Sequence, residues 1–277
     1  MSHLAKIESM SPEFLFWFAL AVKMAVTALF VSFATIVAEK LGPTVGALVA
    51  TLPVSAGPVY VFLALDHDAA FISASAIASL ALNAATAIYI TVYVLLAQRR
   101  SIWISSSLAF AAWLAAALTL GPVHWTACSA FALNVLVFGI CFFIVEPFRL
   151  VSMPSTTRPW YDFIARSAMV ALLVGVVVTL SSRIGPAGSG VLAVFPVIYT
   201  SIMFILHRRV GGFATAAVLA NAIPGLAGFG IALLILHLTA VPFGSATALI
   251  FALGISVVWN AAVFATRRRQ VANEASE

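Results

Sequence analysis

Charge is scarce in this sequence, and no carboxylate lies in the interior of a predicted span. Charged residues make up 8% of the chain and hydrophobic residues 63%, with a mean hydropathy of +1.13. A soluble domain carries about 25% charged residues, so this chain needs lipid as its solvent. The carboxylates all fall at the ends of apolar runs, in loops or in tails, which disfavours a carboxylate proton relay inside a bundle. They are Glu8, Glu13, Glu39, Asp66, Asp68, Glu146, Asp162, Glu274 and Glu277.

Cysteine and catalytic motifs are also scarce. Cys128 and Cys141 lie on one predicted helix, about 20 Å apart along its axis, so they cannot form a disulfide within one chain. Neither a zinc-type spacing nor a GxSxG, HExxH, P-loop or dinucleotide fingerprint occurs in a suitable context. His67, His124 and His237 fall in three separate loops and are interpreted as interfacial residues. We therefore expect no enzyme, no cofactor and no metal site.

Hydropathy predicts an all-α polytopic membrane protein, since a spanning helix needs about 20 apolar residues. The nine predicted spans cover roughly 15–38, 43–65, 70–97, 102–120, 124–145, 162–182, 186–206, 212–236 and 243–266. Eleven of the fourteen Lys and Arg residues fall on the side that holds the C-terminus. The positive-inside rule makes that side cytoplasmic and places the N-terminus outside. The same rule explains the net charge of +5, so nucleic acid is not expected as a partner.

One pattern occurs twice at a fixed offset. Gly42-Pro43 is followed ten residues later by Pro53, and Gly185-Pro186 is followed ten residues later by Pro196, each 143 positions after its counterpart. This duplication divides the chain into a first four-helix repeat at 1–121, a linking helix and cytoplasmic joint at 122–161, and a second repeat at 162–277. Each span of the first copy corresponds to the fifth span after it, so that span two corresponds to span seven. Because five is odd, the second repeat is predicted to be inverted relative to the first.

Pro53 and Pro196 are predicted to interrupt spans two and seven near the bilayer midplane, about 15 Å from the start of each helix. Proline removes one backbone hydrogen bond, and lipid cannot satisfy the groups that it frees. Interrupted helices at matching positions of inverted repeats indicate a transport site. The alternative is a simple kink of the kind that proline often causes in membrane helices.

Small and polar residues around these prolines are the predicted solute-binding groups, with two amides on neighbouring spans. The alternative role for each is hydrogen bonding between helices. At an interrupted helix, the N-terminal end of one half favours anions and the freed carbonyls of the other half favour cations. The excess of basic over acidic residues in the chain favours anionic or zwitterionic solutes. The predicted binding residues are Thr51, Pro53, Ser55, Asn83, Pro196, Tyr199, Thr200, Ser201 and Asn221.

Lys23 and Arg166 occupy equivalent positions in the two copies. A charge inside an apolar run is a functional hypothesis, and a symmetric pair could gate opposite mouths of a pathway. Both residues also lie close enough to a span end to anchor the helix at the interface by snorkelling. Interfacial anchoring is the preferred interpretation.

A short segment carries a family resemblance. Gly190, Phe195 and Pro196 in the second copy, with Leu52-Pro53 in the first, form an apolar Gly…Phe-Pro pattern. Each copy thereby resembles the small bacterial GlpM-type membrane proteins, which implies a bacterial inner-membrane location. The inverted duplication is also similar to inverted-repeat secondary transporters such as the drug/metabolite transporters. Those pair five spans with five, whereas the pattern here is four, one and four.

The sequence therefore predicts a secondary transporter of a small solute that works by alternating access. Its expected partners are the lipid bilayer, the solute and a coupling ion, and a homodimer is compatible with the sequence. Two alternatives stay open: a channel or facilitator through the same broken helices, and a non-transporting membrane assembly or lipid-handling protein.

Overall fold

The computed structural model describes residues 11–40, 55–149 and 161–274. These residues form nine α-helices and one short 3₁₀ turn, Glu146–Phe148, and contain no β-strand. The helices are α1 Pro12–Lys40, α2 Ala56–Asp66, α3 Ala69–Ala97, α4 Ile102–Leu120, α5 Ala127–Val145, α6 Tyr161–Ala193, α7 Val197–Ala220, α8 Ile223–Phe243 and α9 Ser245–Glu274.

Six stretches of the described residues are long and apolar enough to cross a bilayer. The outer helices turn large apolar side chains outward, including Leu29 on α1, Phe143 on α5 and Ile250 on α9. A soluble protein would bury such side chains, whereas lipid solvates them. The fold is that of a multi-pass helical membrane protein, as the composition predicts.

Most predicted span limits agree with the helices to within a few residues. The predicted spans 70–97 and 102–120 match α3 and α4 closely. The first half of the predicted span 43–65 lies outside the described residues. The prediction of one continuous span at 212–236 is wrong, because a turn at Asn221 and Ala222 divides it. Pro224, which follows at the first turn of α8, has no N–H with which to continue the preceding helix.

Helix α3 forms the centre of the bundle. It contacts α2, α4, α5, α6, α7 and α8. In its most apolar stretch 78% of the residues are buried, against 11% in α1 and 22% in α9. Its start is fixed by Asp68, whose side chain accepts a hydrogen bond from the Phe71 N–H at 2.8 Å. The remaining helices are therefore arranged around α3.

The chain reverses direction at Gly185, inside α6. Gly185 has a φ of 68° and a ψ of −173°, a conformation that glycine adopts without strain. Before this residue, Ser181 contacts His67 just ahead of α3. After it, Gly190 lies against the first half of α3, where the Ser79 hydroxyl donates to its carbonyl. The segment that follows Gly185 therefore runs alongside α3 in the same direction.

A second reversal occurs at Gly211, which has a φ of 82°. His207 contacts Tyr93 near the C-terminal end of α3, and Gly212 packs against the Ala97 carbonyl. Farther along, α8 runs back, since Asn83 contacts its beginning at Leu226 and Ser73 contacts its last third at His237. α8 is thus antiparallel to α3.

Helices α1 and α6 are also antiparallel. The hydroxyls of Ser32 and Ser167 lie 2.9 Å apart. Earlier on α1, the Met24 side chain packs against Gly175, where an added Cβ would lie 2.8 Å from the Met24 sulfur. Earlier residues of α1 therefore contact later residues of α6, as expected for antiparallel helices.

A disulfide tests this packing. In a background with Cys128→Ala and Cys141→Ala, the pair Ser32→Cys and Ser167→Cys is expected to crosslink on mild oxidation, because the two hydroxyls already touch. The matched control pairs Ser32→Cys with Ser182→Cys, an exposed position two residues before Ile184 and far along the same helix. Crosslinking is measured by gel mobility after proteolysis between the two helices. Equal rates for the two cysteine pairs would contradict the described packing.

Candidate functional site

The helical path between α6 and α7 is interrupted at residues 194–196. α6 ends at Ala193 and α7 begins at Val197, as the prolines of the sequence predict. Pro196 has a ψ of 49°, outside the helical range, and is buried. The Phe195 N–H bonds to the Leu192 carbonyl at 3.0 Å, and the Val197 N–H bonds to the Phe195 carbonyl at 2.7 Å. The backbone thus forms tight local turns where an α-helical ladder would otherwise continue.

Hydroxyl groups satisfy the carbonyls around this break. Ser79 donates to the Gly190 carbonyl at 2.6 Å, and Thr86 donates to the Val194 carbonyl at 3.4 Å. Within α7, Thr200 donates to the Pro196 carbonyl at 2.7 Å. The Pro196 carbonyl also accepts from the Thr200 N–H at 2.9 Å, and Gly190 lies within α6, so of these three carbonyls it is Val194 that is bonded by a hydroxyl outside the helical ladder. Because lipid cannot pair with a freed backbone group, Thr86 supplies a partner that this break needs.

One face of α3 carries a line of polar side chains, of which Ser79, Thr86 and Tyr93 bond to residues of α6, the break and α7. Ser75, Ser79, Asn83, Thr86 and Tyr93 follow one another at spacings of three, four or seven residues, so they share a helical face. Of these, only Asn83 is among the predicted site residues. The periodicity alone could have identified the others, because polar residues at helical spacing in an apolar span indicate a protein-facing stripe.

Two tyrosines on α3 contact α7 beyond the break. The Tyr89 hydroxyl lies 2.8 Å from the Thr200 hydroxyl, which already donates to Pro196, so Tyr89 is the donor of the pair. The Tyr93 hydroxyl lies 2.7 Å from Nδ1 of His207. α3 therefore holds the chain on both sides of the break and along the following helix.

Asn83 lies where α3 crosses α5 and α8. Its side chain is 1% exposed, and Nδ2 donates to Oδ1 of Asn134 and to the Leu226 carbonyl, both at 3.1 Å. Asn134 in turn donates to the Leu80 carbonyl at 2.6 Å and to the Ala130 carbonyl at 2.9 Å. Asn134 is absent from the predicted site, although it is a conspicuous amide in an apolar run.

The remaining predicted binding residues near the two prolines do not converge on one point among the described residues. Thr51 and Pro53 lie outside the described residues. Ser55 is the N-cap of α2 and makes no side-chain capping bond. Tyr199 is half-buried against the core, and Ser201 is buried with its hydroxyl bonded to a carbonyl of its own helix. Ser201 therefore uses its one hydrogen-bond donor within α7 and keeps only acceptor capacity in this conformation.

Asn221 lies at the C-cap of α7, and its side chain bonds to Arg149. Its Oδ1 accepts from Nε of Arg149 at 3.2 Å, and its Nδ2 donates to the Arg149 carbonyl at 3.0 Å. The structure thus joins Asn221 to the chain that follows α5, not to the break at Pro196.

Lys23 forms an ion pair with Asp66, with Nζ 2.6 Å from both carboxylate oxygens. The two side chains are 18% and 33% exposed, so the pair lies at the edge of the bundle. The arrangement fits an interfacial anchor that ties α1 to the end of α2. Arg166 is half-buried near the start of α6, next to the buried Ser167.

Histidines make polar contacts without converging on one point. His67 contacts Ser181, and His237 contacts Ser73. Within the described ranges, no group of three His, Cys, Asp or Glu residues is placed to hold a metal ion.

No protein-family model matches this chain, and neither curated proteins nor solved structures gave a match. The class of protein therefore rests on the fold: a multi-pass helical membrane protein whose broken helix packs against the polar face of a central helix.

The hydroxyl network makes a sharp stability prediction. Ser79→Ala removes a hydrogen bond to the buried Gly190 carbonyl and takes from the buried Tyr60 hydroxyl its described partner, so we expect a loss of about 1–3 kcal/mol in the free energy of unfolding. Ser75→Ala, one turn earlier, removes a buried hydroxyl that has no partner among the described residues, so it should be neutral or slightly stabilising. Unfolding in detergent with increasing denaturant measures both variants. An equal effect of the two would contradict the described network.

Proposed function

We propose that this protein is a secondary transporter of a small organic solute, working by alternating access between two inverted repeats. The solute is anionic or zwitterionic, and its site lies at the broken helices of spans two and seven. The membrane is the bacterial cytoplasmic membrane, with the N-terminus outside and the C-terminus in the cytoplasm. The resemblance to GlpM-type proteins stays a prediction that agrees with this location.

Helix boundaries at the repeat offset support the duplication. α4 begins at Ile102 and α9 begins at Ser245, 143 positions later. Asp68, the N-cap of α3, corresponds to Gly211, where the second copy reverses direction. Turns recurring at one offset are expected of two copies that share a fold.

Antiparallel packing of equivalent helices supports the inversion. α1 and α6 are equivalent in the repeat and pack antiparallel, and so are α3 and α8. Asn83 donates to the Leu226 carbonyl, the residue 143 positions later, so it bonds to its own counterpart. Such a contact is expected where a pseudo-two-fold axis passes between the copies, and inverted repeats are related by an axis of this kind.

The observation that carries the functional proposal is the break at Pro196. Transport sites form where discontinuous helices expose backbone groups within protein. The bond from Thr86 to the Val194 carbonyl is 3.4 Å long, the longest in the network, so a solute group could replace it most readily. The N-terminal end of α7 carries partial positive charge that favours a carboxylate. A gradient of the solute or of a coupling ion supplies the energy.

Filling the break tests the proposal. Pro196→Ala restores an N–H and a strong helix former, so we expect a helix that continues through the break and solute uptake reduced roughly tenfold or more. The measurement uses proteoliposomes and a labelled panel of amino acids and organic acids, following the solutes that the unmodified protein takes up. The matched control is Pro122→Ala, an exposed proline in the turn after α4.

Unchanged uptake in the Pro196→Ala variant would remove the break from the mechanism. Flux that does not saturate with solute concentration would favour a channel instead. An absence of flux for every panel member would favour the assembly or lipid-handling alternative.

The proposed orientation makes a separate prediction. In the background without Cys128 and Cys141, His124→Cys should react with an impermeant maleimide in intact spheroplasts, because it is exposed in the loop between α4 and α5. Arg100→Cys, exposed in the preceding loop at the other end of α4, should react only after permeabilisation. The opposite labelling pattern would reverse the assigned orientation.

A further inference from the structure

Two turns that are far apart in the sequence lie side by side at one end of the bundle. The first joins α3 to α4, and the second is the reversal at Gly211, within α7. Gly212 packs against the Ala97 carbonyl at the end of α3. The Trp103 ring at the start of α4 meets the Phe204 ring of α7, with centroids 5.4 Å apart. The side chains of the two turns therefore share one surface of the molecule.

Arginines are concentrated in these two turns. Arg99 and Arg100 precede α4, and Arg208 and Arg209 precede the reversal in α7. Arg99, Arg100 and Arg208 are exposed, and no ion pair among the described residues involves these three. The nearest carboxylate in the sequence is Asp68, at the opposite end of α3. The surface is thus positively charged, and neither turn contributes a carboxylate to it.

One of these arginines is restrained by a tryptophan. Cζ of Arg208 lies 5.5 Å from the centre of the Trp103 ring, within the range of a cation–π contact. Such a contact restrains the guanidinium group without using its N–H donors. Those donors match two oxygens of a phosphate group, which arginine binds in a bidentate manner. Arg208 is therefore a restrained and exposed donor for an anion.

Apolar side chains that face lipid border the arginines. Leu95 lies on the last turn of α3, Ile104 on the first turn of α4 and Phe213 just after the reversal in α7, and all three are exposed. Trp103 is 59% exposed, and tryptophan concentrates where acyl chains meet headgroups. Because α4 is apolar and long enough to span the bilayer, its first turn lies at a membrane surface. The arginines are thus at the depth of the lipid headgroups.

A phospholipid is the ligand that fits this surface. Its phosphate lies at the depth of the arginines, and its acyl chains lie beside the exposed apolar side chains. Basic residues near a membrane surface attract lipids of net negative charge. A zwitterionic headgroup such as phosphocholine also brings a positive charge, which the neighbouring arginines repel. Headgroups of net negative charge are therefore favoured.

We propose that Arg99, Arg100, Arg208 and Trp103 form a binding site for the headgroup of an anionic phospholipid. The lipid phosphate accepts hydrogen bonds from the Arg208 guanidinium, which the Trp103 ring restrains. Arg99 and Arg100 add positive charge from the neighbouring turn, and the acyl chains lie along the exposed apolar side chains. The inference does not depend on the break at Pro196 and goes beyond the proposed transport function.

Short-chain lipids test the site in the purified full-length protein in a neutral detergent. Dioctanoylphosphatidylglycerol is expected to raise the melting temperature with saturation, at an apparent dissociation constant at least roughly tenfold below that of dioctanoylphosphatidylcholine. Raising the salt concentration from about 0.1 M to 1 M should weaken binding of the anionic lipid more than binding of phosphatidylcholine, because salt screens exposed charges. Inorganic phosphate at the same concentrations, which lacks acyl chains, should give no shift.

Arginine variants locate the site. Arg208→Gln should bind dioctanoylphosphatidylglycerol roughly tenfold more weakly and should retain its melting temperature without lipid, because the side chain is exposed. Arg208→Lys keeps the charge and loses the planar pair of donors, so its affinity should be intermediate. The matched control is Arg183→Gln, because Arg183 is exposed near the reversal at Gly185, at the opposite end of the bundle. It removes the same charge and should leave the affinity unchanged.

A double variant keeps the test decisive if Arg208→Gln lowers thermal stability without lipid. Arg99→Gln with Arg100→Gln removes two exposed charges from the turn before α4. This variant is expected to weaken the binding of dioctanoylphosphatidylglycerol by a factor similar to that of Arg208→Gln.

Three outcomes would overturn the proposal. The first is an equal affinity for the two lipids. The second is equal affinity for the anionic lipid in the Arg183→Gln variant and in the variants of the two turns, since binding would then depend on net charge alone or occur elsewhere. The third is a shift with inorganic phosphate equal to that with phosphatidylglycerol, which would assign the surface to a soluble anion. Solute uptake enters none of these measurements, so the transport function is tested separately.

Discussion

The structure depends on hydroxyl-to-carbonyl hydrogen bonds between the central helix and a broken one. In lipid, a backbone carbonyl that loses its helical partner must be satisfied by protein. Thr86 on α3 supplies such a bond to Val194 in the break, and Ser79 adds a second bond between α3 and the Gly190 carbonyl just before it. Without these donors the apolar segment would be most stable as an uninterrupted helix, and Pro196 alone would only kink it.

This requirement explains why α3 lies at the centre and why glycines of the neighbouring helices pack against it. A hydroxyl on a short side chain reaches a neighbouring carbonyl only when the two backbones are close. Gly190 permits this, since an added Cβ would collide with the Ser75 carbonyl, and Gly212 likewise packs against the Ala97 carbonyl. α3 also bonds to α8 through Asn83. A displacement of the broken segment relative to α8 must therefore exchange hydrogen bonds on α3.

Hydropathy and proline periodicity predict the helices and the interruption at Pro196, because these features depend on local sequence and on the solvent. The partners of the polar residues do not follow from sequence, since they depend on which faces meet. Asn221 shows the limit: read as part of one span, it should lie in the membrane, but the turn before Pro224 places it beside Arg149. Asn134 was missed because its role appears only where α5 crosses α3.

In the proposed repeat, helix α5 has no counterpart, and this would make the proposed cycle asymmetric. Asn134 donates to the Leu80 carbonyl of the first copy, while the contact of α5 with the second copy is made through α8. At the proposed offset of 143 positions, Asp66, the partner of Lys23, corresponds to Arg209. Two repeats that exchange conformations under perfect symmetry would give opposite-facing states of equal energy. The bond from α5 to Leu80, and the ion pair of Lys23 with Asp66, whose positions correspond to two arginines at the proposed offset, would separate these energies. One of the two states would then be favoured before the solute binds.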